Sequence, residues 1–148
     1  MKKIEVTLIP GDGIGPEVIE AAKKCVDALI DIKWYYTEIG EKAKKYSNNV
    51  LPERVINLIK KTKVALKGPV TTPIGEGFHS VNVKLRKVLG LYANIRPCKS
   101  FDGILTPYKN INIVIIRENT EDLYSGIEFR GDKFKFIKEI LNKNNLPT

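Results

Sequence analysis

Cysteine, histidine and tryptophan are scarce in this chain: two, one and one in 148 residues. Cys25 and Cys98 lie far apart and belong to no metal-ligand cluster, so they support neither a disulfide framework nor a zinc site. Cys25 sits in an apolar helical stretch and is expected to be a buried small hydrophobe. Cys98, after Arg96-Pro97, carries no assignment. The single histidine, His79, lies in a glycine loop and is expected to be exposed, with no catalytic role. No apolar run approaches the roughly 20 residues of a membrane span. The opening Met1-Lys2-Lys3-Ile4 passes straight into strand-like sequence, without the apolar core and cleavage site of a signal peptide. The expectation is a cytoplasmic protein with no membrane partner. Internal repeats and low-complexity segments are also missing.

What is present is an ordinary globular composition, 43% hydrophobic and 28% charged. That length suffices for one modest core, or one domain and part of another. The net charge of +8 comes mostly from lysines scattered in short runs such as Lys23-Lys24, Lys42 to Lys45 and Lys60 to Lys63. Such runs are typical of solvated helix faces. A nucleic-acid module would add a fold motif or stacking aromatics, and neither is found, so no nucleic-acid partner is expected. The few arginines are more informative, because Arg86, Arg96 and Arg117 fall in one region.

Lys3 to Ile9 alternates apolar and polar residues and stops at Pro10-Gly11, which predicts a strand. Pro16 suits a first helical turn, and Val18, Ile19, Ala22, Val26 and Leu29 follow at helical spacing. Ile32 to Ile39 is predicted as a second strand. Pro52 opens a short helix carrying Val55, Leu58 and Ile59, and Lys63 to Leu66 is a third strand stopped by Gly68-Pro69. Ser80 is an N-cap candidate for a helix whose core face is Val81, Leu85, Val88 and Leu89, ended by Gly90. Leu91 to Ile95 and Ile111 to Ile116 are further strands, joined by a turn-rich connection. Asp132 caps a last amphipathic helix with Phe136, Ile137, Ile140 and Leu141. Strands alternating with helices predict a layered α/β fold.

Gly11-Asp12-Gly13-Ile14-Gly15-Pro16 lies between strand and helix, where a dinucleotide fingerprint would be, and Glu38 is placed to act as the ribose-binding acid. The spacing fails, since proline occupies the position of the third glycine. A tight turn whose glycines supply unusual backbone angles is the stronger reading. A second constellation favours an anion. Asn82 and Arg86, four apart, share a helix face away from Val81, Leu85 and Val88. Ser80 stands at the helix start, where free N–H groups and the dipole favour negative charge. Arg96 and Arg117 follow on strands. Several guanidinium groups suit a ligand with several carboxylates, each pairing bidentately. Spacing alone leaves open three ordinary surface arginines, and it does not identify the ligand.

The motifs themselves carry a resemblance. Gly11-Asp12-Gly13-Ile14-Gly15-Pro16-Glu17 resembles the opening motif of the β-decarboxylating dehydrogenases of isocitrate and isopropylmalate. Gly68 to Gly75, Ser80 to Arg86, Leu91 to Pro97 and Arg117 to Glu128 are similar to the isocitrate branch, in order and without an obvious gap from about Ile9 to Glu128. The resemblance implies the layered fold of that family, here incomplete. It implies oxidative decarboxylation of isocitrate to 2-oxoglutarate with NAD or NADP and Mg2+ or Mn2+, in a homodimer. Ser80 and Asn82 mark the isocitrate branch over the isopropylmalate one, where bulkier apolar residues replace them. Ser80, Asn82, Arg86, Arg96 and Arg117 would grip isocitrate. Thr71, with Thr72, would lie beside the nicotinamide, and Tyr124 would protonate the substrate carbon after carbon dioxide leaves. A tyrosine suits that step if a neighbour lowers its pKa, and a divalent cation would stabilise the enolate. His79 departs from the family, where a basic residue is usual.

Family members are much longer. The resemblance places the catalytic lysine, the metal-binding aspartates and the adenosine-binding loop beyond Thr148, so no metal ligand is expected among these residues. Residues 1–98 are expected to be the N-terminal part of the large α/β domain, and residues 99–148 a truncated start of the small one. A non-catalytic module that binds isocitrate or citrate and pairs with another chain is the alternative function.

Overall fold

The computed structural model describes residues 3–71, 80–121 and 131–143, with backbone alone at 132 and 134. Its centre is β1, Ile4–Ile9, flanked in parallel by β2, Ile32–Tyr36, and β3, Ala65–Lys67, in the order β2-β1-β3. Parallel strands need crossover helices and cover on both faces. The first crossover is α1, Gly15–Asp27, and the second holds α2, Glu41–Ser47, and α3, Glu53–Thr62. Val6, Thr7, Leu8 and Ile9 are all buried. Because side chains alternate along a strand, Thr7 and Ile9 share one face. There Thr7 Oγ1 lies 2.7 Å from Thr62 Oγ1 of α3. On that side Ile9, Val55 and Ile59 form one cluster with Val81 and Leu85 of α4, Val81–Leu89.

The helix expected after the glycine turn forms, but its core face is narrower than its periodicity suggests. Only Gly15 and Ile19 of α1 are buried. Val18 and Leu29 are exposed, and so, against expectation, is Cys25. At about 100° per residue, Cys25 stands about 240° around the helix from Ile19. Leu29 lies past the helix end at Asp27. In α4 the same correction applies to Val88, which is 48% exposed while Val81 and Leu85 are buried. The unpredicted α2, sequence EKAKKYS, buries Ala43 alone, so it has almost no apolar periodicity to read. The second strand ends at Tyr36, three residues short of its predicted end.

After Gly90, which caps α4 in the left-handed conformation, the chain enters a separate antiparallel ribbon. β4, Ala93–Lys99, pairs along its whole length with β5, Asn112–Glu118. The predicted strand Leu91 to Ile95 therefore starts later and runs further, through Pro97. Proline is tolerated there because, among the described residues, β4 pairs on one side only. Every residue of β5 is exposed. The last helix, α5, covers Asp132–Lys143 as its pattern predicts.

Candidate functional site

The glycine turn is built for close backbone approach. Asp12 N–H donates to Pro69 O at 2.9 Å, which ties the exits of β1 and β3 together. Gly11 has φ +80°, and a Cβ on it would lie 1.9 Å from Pro69 O. This is the crevice between neighbouring strand ends where doubly wound sheets bind nucleotides. Here the backbone fills it, so the turn does not fit a pyrophosphate, in agreement with its failed spacing. Glu38 is likewise engaged: it interacts with Tyr46, whose hydroxyl pKa is raised by burial first and by Glu38 second.

On the other side of that closure stands α4. Ser80 takes the N-cap position, but its hydroxyl makes no capping hydrogen bond, which leaves the oxygen to other uses. Asn82 and Arg86 are half-buried and line a cavity of about 790 Å³ together with Leu85 and Lys67. The expected separation of these two from the apolar face is thus incomplete, because Leu85 borders the same cavity. Asn82 Oδ1 is buried and accepts no hydrogen bond among the described residues, as is true of Asp12 Oδ2. Buried polar atoms are normally paired, so both point to a missing partner.

Lys67 is the site residue that pattern reading passes over. It ends β3 in register with Ile9, so its side chain emerges on the α4 face of the sheet. Burial is the main cause lowering its pKa, nearby Arg86 lowers it further, and Asp12 partly restores it. The sequence signal is a lysine at the exit of a parallel strand, directly before Gly68-Pro69.

The remaining arginines form a second group. In the ribbon Asn94 faces Arg117 and Arg96 faces Ile115. Residues two apart share a face, so Arg96 and Arg117 are diagonal neighbours on one side of it. Both are exposed, and Arg96 Nε donates to Asn94 Oδ1 at 3.1 Å. Beyond Arg117 the chain turns on Glu118, whose carboxylate accepts from Thr120 N at 2.8 Å, Thr120 Oγ1 at 2.7 Å and Glu121 N at 2.7 Å. The Thr120 hydroxyl and these amides hold the Glu118 pKa at about 2. Thr71 is exposed, near Gly13. Thr72 and Tyr124, and the loop with His79, lie outside the described residues. Among the described residues no group of three or more His, Cys, Asp or Glu is placed to hold a metal. No helix among them is long and apolar enough to cross a membrane.

A three-stranded parallel sheet with crossover helices, followed by a helix and a two-stranded antiparallel ribbon, defines a unit of the layered α/β class. The chain belongs to the isocitrate/isopropylmalate dehydrogenase family, whose model matches residues 5–141. It is 46% identical to the isocitrate dehydrogenase (NADP) of Caldococcus noboribetus, over 93% of this chain and 35% of that protein. It is 50% identical to a mitochondrial isocitrate dehydrogenase (NAD) regulatory subunit of Dictyostelium discoideum, over 84% of this chain and 34% of that protein. Among solved structures, isocitrate dehydrogenase from Methylococcus capsulatus superposes with a TM-score of 0.77 at 45% identity, covering 84% of this chain and 37% of that one. The chain thus spans about a third of the length of the curated relatives it matches.

Proposed function

We propose that this chain supplies most of the substrate-binding wall of an isocitrate dehydrogenase, which oxidises and decarboxylates isocitrate to 2-oxoglutarate. The observation that carries this reading is the arrangement of α4: the buried, donor-free Oδ1 of Asn82 stands with Arg86 in one cavity, behind an N-cap serine whose hydroxyl is not spent on the helix. Ser80 and Asn82 select isocitrate, since a bulkier apolar pair would exclude its third carboxylate. Arg86, Arg96 and Arg117 neutralise the carboxylates and fix the carbinol carbon for hydride loss. Tyr124 delivers the proton to the carbon that has lost carbon dioxide. Thr71 and Thr72 border the nicotinamide end of NAD or NADP, and the relatives' names include both. When bound, the dinucleotide accepts the hydride and Mg2+ or Mn2+ stabilises the enolate charge. The described residues do not provide the metal's donor set.

Residues 1–98 form the large-domain part in this reading and residues 99–148 open the small domain. β4 joins the two by pairing with β5. The working protein is a cytoplasmic homodimer that binds no nucleic acid. The second reading, a non-catalytic module that binds isocitrate or citrate, is favoured by the similarity to a protein whose name is that of a regulatory subunit. An assay of isocitrate-dependent reduction of NAD or NADP with magnesium separates them. The 148-residue chain is expected to bind isocitrate with little or no turnover, and the full-length enzyme to turn over. Isocitrate binding that survives both Arg96→Ala and Arg117→Ala unchanged would overturn the site.

A further inference from the structure

We infer that the cavity at the exit of β2 binds a free aliphatic α-amino acid, whose ammonium pairs with Glu38 and whose carboxylate pairs with Arg54. The cavity measures about 460 Å³ and shares no lining residue with the one beside α4. It is therefore a second site, independent of the substrate wall.

Glu38 is fixed from both sides. Thr37 N–H before it donates to Leu8 O at 3.0 Å, and Gly40 N–H after it donates to Val50 O at 2.8 Å, with Ile39 buried. Arg54 stands in the first turn of α3, where the helix dipole disfavours a cation. Helix stability does not account for its place. Its guanidinium carbon lies 4.7 Å from the centroid of the Tyr46 ring. A guanidinium stacked on an aromatic face keeps its N–H edges free for bidentate pairing with a carboxylate.

Glu38 and Arg54 are the charged residues of this lining, and among the described residues neither is in an ion pair. Both act on the Tyr46 hydroxyl: burial is the main cause raising its pKa, Glu38 raises it further and Arg54 lowers it. The two opposite charges thus share a cavity and a neighbour without closing on each other. Such a pair suits a ligand that carries both signs on one short backbone. A dicarboxylate would be repelled by Glu38 and a diamine by Arg54. Pro10 and Leu58 add apolar wall, which suits an aliphatic side chain.

The test is calorimetric titration of the 148-residue chain with L-norvaline at about pH 7, where it is a zwitterion. Two analogues each lack one charge: butylamine has no carboxylate and pentanoate has no ammonium. Wild type is expected to bind L-norvaline with a Kd of about 1 mM or below. Each analogue should bind at least about tenfold more weakly, as expected for a lost charge-assisted hydrogen bond. Glu38→Gln should lose most of the preference for L-norvaline over pentanoate, and Arg54→Met the preference over butylamine. No binding of L-norvaline by wild type, with circular dichroism showing it folded, would overturn the site. Equal binding of all three ligands by wild type would overturn both charge assignments. A uniform loss across the three ligands in a folded variant would assign that residue to the fold and not to the ligand.

Discussion

At the scale of single residues, the turn after β1 is constrained far more tightly at Gly11 than at Gly13, although both have positive φ. Any side chain at Gly11 runs into Pro69 O, whereas a Cβ at Gly13 meets only Thr71 Oγ1 at 3.8 Å. Gly13→Ala should cost about 1–2 kcal/mol, the strain of the left-handed region alone. Gly11→Ala should cost clearly more, or prevent folding, in urea denaturation. Glu118 gives a pH prediction with a definite sign. Its folded pKa of about 2 lies below the ordinary glutamate value of 4.5. The turn at Thr120 is therefore fully held above the unfolded value and is lost as pH falls through about 2. A carboxyl titration by NMR should place the Glu118 midpoint there, and a midpoint in the ordinary glutamate range would refute the turn. Some residues are legible from spacing, notably Ser80 as N-cap and the pairing of Asn82 with Arg86 on one helix face. Lys67 is legible only as a lysine before Gly68-Pro69, because its place beside Arg86 comes from a strand register with Ile9. Cys25 departs from its pattern for the related reason that a helix on a three-stranded sheet buries only a thin line of its surface.

Among the elements, those with strong apolar periodicity are legible: β1, α1, α3, α4, β5 and α5 all form close to where the pattern puts them. The failures follow physical rules. α2 offers one buried alanine and is held by its neighbours, so composition hides it. The end of β4 lies beyond Pro97, a residue that normally stops a strand but is accepted on a strand that, among the described residues, pairs on one side only. β1 is the keystone of what does pack. Leu8 is fully buried on the face opposite the α3–α4 cluster, and Leu8→Ala should destabilise the chain by about 2–5 kcal/mol. Loss in thermal or urea unfolding smaller than about 1 kcal/mol would mean that this face is not a core. The ribbon behaves differently. A two-stranded unit is marginal in water by itself, so the relative position of Arg96 and Arg117 depends on whatever β4 and β5 pack against.

Taken whole, the molecule divides into a packed part around β1 and a ribbon that exposes large apolar side chains, among them Ile95, Ile113, Val114 and Ile116. The family assignment is legible because several motifs recur in order, each fixed by a turn, a cap or a charge. What the rest of the relatives' length contributes is not legible, because this chain spans about a third of it. The closure between β1 and β3 has a further consequence. The Asp12 amide proton, buried and bonded to Pro69 O from a distant stretch of chain, can exchange with solvent deuterium only when the two strand exits part. One slowly exchanging resonance thus serves as a clock for the parting of the two strand exits, read without any probe attached to the chain.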